Sequence, residues 1–87
     1  MYRSILVALA LSAAPMAVLA MPQIGDVVGT NPTDATAALA NSGCKVTAFG
    51  AEGGKIEAKC VETASNKSWE VYINPKTGVV VDMKNYD

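Results

Sequence analysis

Hydrophobic and polar positions alternate most cleanly over residues 69–83, WEVYINPKTGVVVDM. Trp69, Val71 and Ile73 share one parity, and Glu70, Tyr72 and Asn74 the other. After Asn74-Pro75-Lys76-Thr77-Gly78, the residues Val79, Val81 and Met83 resume the apolar parity against Val80 and Asp82. A period of two sends successive side chains to opposite faces of a strand, so this stretch predicts two strands with one apolar face, joined by a tight turn. Pro75 presets φ for a turn, and Gly78 can take the positive φ that closes a bulged hairpin. The same period appears earlier: Cys44, Val46 and Ala48 alternate with Lys45, Thr47 and Phe49, and Ile56, Ala58 and Cys60 with Lys55, Glu57 and Lys59. Between them Gly50-Ala51-Glu52-Gly53-Gly54 reads as the turn of a second hairpin. Turning symmetrically about Glu52, it sets Ala48 opposite Ile56, Val46 opposite Ala58, and Cys44 opposite Cys60.

Ahead of the strands the period lengthens. Asn31-Pro32-Thr33-Asp34 carries a capping residue, a proline suited to a first turn and an acid at the positive end of a helix dipole. Ala35, Ala38 and Leu39 share a side at helical spacing, and Asn41-Ser42-Gly43 supplies a stop, so a helix over about 32–42 is expected. Its alanine-rich face suits close packing on a sheet. Residues 21–31, with Pro22, Gly25 and Gly29, read as a lead-in that lays Ile24, Val27 and Val28 on the domain. Short connections between four successive strands favour an antiparallel meander, and one amphipathic helix is available to cover it. The expected fold is two-layer α+β: one helix packed on a four-stranded antiparallel β-meander.

Of the 87 residues, the first twenty have a different character. Arg3 precedes an apolar run from Ile5 to Ala20 interrupted only by Ser12 and Pro15, with small residues at its end. This predicts a secretory signal peptide over 1–20, a lead-in over 21–31 and a domain over 32–87. The leader inflates the 51% hydrophobic content. Beyond it stand six lysines, no arginine and eight carboxylates, a net charge of −2. Nucleic-acid binding and a polybasic membrane patch are not expected from such a balance, nor is membrane insertion of the mature chain. Export, to a periplasmic or extracellular space, allows Cys44 and Cys60 to stay bonded. Closing their separation of 16 stabilises a small domain by roughly 3 kcal/mol. The spacing is not that of a redox C-x-x-C pair, and a zinc site would need two more ligands from a chain without histidine.

Lack of histidine also removes the usual general base. Glu57 and Glu70 are the one carboxylate pair that neighbouring strands can bring together. Both, however, sit with Lys55, Lys59 and Asp82 on the solvent parity, where cross-strand charge pairing is the simpler role. Gly50, Gly53 and Gly54 lack the lysine and helix of a phosphate loop. No catalytic, metal or cofactor residue is therefore assigned. By parity Phe49, Tyr72 and Val80 fall on the face away from the helix, where a protein partner can use them, and an uncovered sheet edge can accept a peptide strand.

Ser42-Gly43-Cys44, a strand, Lys55-Ile56-Glu57-Ala58-Lys59 and the closing run from Trp69 through Asn74-Pro75-Lys76-Thr77-Gly78 to Val80 together resemble PepSY domains, over residues 32–84. In that family a helix precedes a glycine and an aromatic, and the final hairpin has a similar pattern. Here Cys44 stands where an aromatic is common, Asn74 replaces a frequent Asp, and Cys60 adds the bridge. The resemblance implies a small non-catalytic extracytoplasmic module that binds or inhibits a peptidase or another envelope protein, acting in trans. A second resemblance, to PASTA modules, rests on Asp26-Val27-Val28-Gly29, Ala38-Leu39 and Ser42-Gly43-Cys44-Lys45-Val46 and ends there. The alternative from another class is a binder of a small ligand or metal ion on the acidic sheet face.

Overall fold

The computed structural model describes residues 21–86; the leader expected over 1–20 lies outside the described residues. Helix α1 (Pro32–Asn41) is followed by β1 (Cys44–Glu52), β2 (Lys55–Glu62), β3 (Ser68–Ile73) and β4 (Val80–Asn85). The strands form one antiparallel sheet in the order β1-β2-β3-β4, and α1 packs against β1, giving the expected two-layer α+β fold. Among the described residues no helix is long and apolar enough to cross a membrane.

The helix forms where its caps place it. The Asn31 side chain accepts from the Asp34 amide at 2.9 Å and donates to the Asp34 carboxylate at 2.9 Å, a reciprocal cap that satisfies a free N–H of the first turn. At the other end the Ser42 amide donates to Ala38 and Leu39, and Gly43 turns the chain at φ 93° while donating to Ala40. Leu39 and Ala35 are buried. They meet the inner face of the sheet, where Cys44, Ala58, Cys60, Val71, Ile73 and Val80 complete the core and Trp69 and Met83 pack at its margin.

Cys44 and Cys60 are disulfide-bonded, with Cα atoms 5.3 Å apart, but not through the symmetric register expected. The hairpin turns in two residues, Gly53 and Gly54, at φ 58° and 80°, so Glu52 pairs with Lys55 and Phe49 with Ala58. Positive φ at both central residues matches the right-handed twist of the flanking strands, which a glycine pair permits without steric cost. A bulge then takes up Thr47, and Val46 pairs with Cys60 while Cys44 pairs with Glu62. The bridge thus runs diagonally on the inner face.

A second bulge lies in β4. Tyr72 pairs with Asp82 but Ile73 with Val80, which leaves Val81 as the extra residue. Each bulge inverts the parity beyond it. Two outer-face expectations are corrected as a result. Phe49 turns inward and packs against the core, and Val80 is fully buried within it, while Val81 is exposed.

The lead-in is more than a loop. Val27 bridges Val79, the Val28 and Gly29 amides donate to the Gly78 carbonyl at 2.8 and 3.3 Å, Val80 donates to Asp26 and Gly25 to Val80. Val28 is buried, and the segment covers the start of the β4 edge. This docking depends on the β3–β4 turn. The Asn74 side chain accepts from the Lys76 and Thr77 amides, the Gly78 amide donates to the Asn74 carbonyl, and Gly78 takes φ 74°.

Candidate functional site

The bulges divide the three residues placed by parity on the outer face. Only Tyr72 stands there. Its neighbours across the strands are Glu57 and Asp82, and the next row holds Lys59, Glu70 and Lys84. These long side chains enclose the ring: Tyr72 is 5% exposed, and the Lys84 ammonium lies 5.4 Å from the ring centroid. The hydroxyl sits 2.6 Å from Glu70 Oε1 and 3.2 Å from Glu57 Oε2. It carries one proton and donates to one carboxylate at a time, the shorter contact being to Glu70. The hydrogen bond to Glu70, with burial second, holds the phenol well above its ordinary pKa, so it keeps its proton at neutral pH. Glu57 and Glu70 do come together, then, as joint acceptors of one phenol proton. A polar cleft of about 180 Å³ lined by Glu52, Gly53, Lys55, Tyr72, Asp82 and Lys84 opens beside this cluster. Among the described residues no group of three or more His, Cys, Asp or Glu is arranged to hold a metal ion.

The inner side carries a different feature. Where the lead-in enters α1, the helix start stands away from the tip of the β1–β2 hairpin and leaves an apolar cleft of about 250 Å³. Pro32 and Ala35 of α1 form one wall, Phe49 and Ile56 of the hairpin the other, and Gly29 and Asn31 the end. Each wall follows from local sequence. Pro32 suits a first helical turn because its missing N–H would have had no partner there, Ala35 is small, and Phe49 reaches the cleft only because the Thr47 bulge reverses its parity. The outer edge of β1 runs beside the cleft and, among the described residues, has no strand neighbour.

This cleft escaped the parity argument. Bulges carry no fixed residue signature, and the one available cue was the adjacent pair Gly53-Gly54, which favours a two-residue turn and moves the register by three. No protein family, curated protein or solved structure matches the chain.

Proposed function

We propose that the protein is a non-catalytic, secreted PepSY-like module of the cell envelope that binds or regulates a peptidase or another envelope protein. The partner contributes an extended segment, which lies along the open edge of β1 and inserts an apolar side chain into the cleft beside Phe49. The observation that carries this reading is the juxtaposition of an unpaired strand edge with an apolar cleft. Main-chain hydrogen bonds along an edge supply affinity and an adjoining pocket supplies selectivity. The β3–β4 hairpin, which holds most of the resemblance to PepSY domains, supports the reading as well, through its Asn74-centred turn.

The test is recovery of envelope proteins on the exported protein, followed by assay of proteolysis by any peptidase recovered. Phe49→Ala should abolish recovery while Tyr72→Phe on the opposite face retains it, both variants being checked for folding by circular dichroism. Absence of any reproducible partner together with no effect on proteolysis overturns the proposal, and so does a partner held equally by wild type and Phe49→Ala. The alternative ligand reading rests on the polar cleft beside Tyr72. Calorimetry with divalent cations and small anions separates the two, because the peptide-binding reading predicts no heat.

A further inference from the structure

The two edges of the sheet are guarded very differently. At the β4 edge the lead-in pairs with Val79 and Val80, and Asp82 and Lys84 place charges on the remainder. Among the described residues the β1 edge has neither device along its middle. From Val46 to Ala51 the strand reads VTAFGA, without charge and without proline, over six of its nine residues. Edges of this kind recruit another strand unless something blocks them.

The free hydrogen-bonding groups can be identified from the hairpin. A two-residue turn makes Glu52 and Lys55 a hydrogen-bonded pair, and bonded pairs recur at every second residue. Gly50 and Ala48 therefore bond to β2, whereas Phe49 and Ala51 direct their N–H and C=O groups outward.

The charges that bracket the uncharged run have opposite signs: Lys45 at one end and Glu52 at the other, both exposed. Both lie on the outer face, because Lys45 precedes the Thr47 bulge and Glu52 follows it. An antiparallel pairing of this edge with itself is thus self-complementary in charge, as an isologous two-fold contact requires. With the two-fold axis at Phe49, the two Phe49 residues exchange both main-chain bonds. With Thr47 outside the count as the bulged residue, Val46 falls opposite Ala51, and Lys45 opposite Glu52 of the second copy, twice by symmetry. Helix α1 packs against β1, and its exposed residues beyond the first turn, Thr36, Ala37, Ala40 and Asn41, carry no charge.

We infer that the β1 edge binds a second copy of this chain, joining the two sheets into one eight-stranded antiparallel sheet. The contact occupies the edge assigned above to a partner segment. On that reading the dimer is the closed form and partner capture requires its dissociation. The dimer itself does not depend on that assignment.

Sedimentation velocity of the exported protein over a wide concentration range, with no partner present, tests the inference. Wild type should show a reversible monomer–dimer equilibrium. Lys45→Glu replaces two attractive pairs with two repulsive ones and should weaken dimerisation roughly tenfold or more. Glu52→Lys should do the same, and the double variant Lys45→Glu/Glu52→Lys should return to within a few-fold of wild type. Circular dichroism checks that each variant folds, and raised salt should reduce the difference between wild type and the single variants. A protein monomeric at every concentration overturns the inference. So does a dimer indifferent to both single reversals, or one that the double reversal fails to restore. Because no partner is present, none of these results bears on the proposed binding function, which is read by loss of capture in Phe49→Ala.

Discussion

Substitution of Gly78 by alanine tests whether the lead-in is part of the fold's stability or an appendage to it. At Gly78 φ is 74°, and a Cβ there would lie 2.7, 2.8 and 2.9 Å from the carbonyl carbon, Cα and N of Gly29. Real Cβ atoms do not approach backbone so closely, and backbone cannot swing aside as a flexible side chain can. The left-handed conformation alone costs an alanine about 1–2 kcal/mol, partly offset by about 0.4–1 kcal/mol from the lower entropy of the unfolded chain. Relieving the clash requires the lead-in to move. That movement endangers the bonds from Val28 to Gly78 (2.8 Å), from Val80 to Asp26 (2.8 Å) and from Gly25 to Val80 (2.9 Å). At about 1 kcal/mol each, the total loss comes to about 3–5 kcal/mol, a large share of a small domain's stability. Gly54 is the matched control, with φ 80° and nothing within 4 Å of its would-be Cβ. Gly54→Ala should therefore cost only about 1 kcal/mol. Urea unfolding followed by Trp69 fluorescence gives both values, and hydrogen exchange at the Val28 and Val80 amides shows whether the lead-in has detached. Equal costs for the two alanines, or unchanged exchange at those amides in Gly78→Ala, would refute the reasoning.

The Cys44→Ala/Cys60→Ala double variant should lose about 3 kcal/mol through the chain entropy restored to its unfolded state, read as a lower urea midpoint at unchanged fold. A loss near zero would show that the bridge constrains little. Tyr72→Phe tests the outer face by pH. The folded phenol has a raised pKa, so its contribution to stability is fully present below the ordinary value of 10.0 and is lost as pH rises through the folded value. The stability of wild type should therefore hold level relative to Tyr72→Phe up to about pH 9 and fall as pH rises from about 10 towards about 12. A difference between the two that stays constant across that interval would contradict the Glu70 hydrogen bond as its cause.

Local chemistry made much of this fold legible. Asn31 and Pro32 marked the helix start and Gly43 its end, within a residue of the observed span. Asn74 through Gly78 marked the closing turn. These signals are properties of a few adjacent residues. Parity is different in kind, because one extra residue anywhere along a strand reassigns every side chain beyond it. Thr47 and Val81 are such residues, and neither is of a type that marks a bulge.

The two inversions also decide where a partner can be sought. Had parity held, Phe49, Tyr72 and Val80 would have formed one apolar patch on the open face. Instead Val80 fills the core, Tyr72 lies under charged side chains, and Phe49 moves to the wall of a cleft beside an unguarded edge. The outer face, with lysines and carboxylates alternating across its strands, offers a partner little area that can be dehydrated without unpairing charge. The β1 flank offers free main-chain groups and an apolar recess together. The cost of desolvating it would be met by hydrogen bonds from an incoming strand, whether that strand came from another protein or from a second copy of the chain.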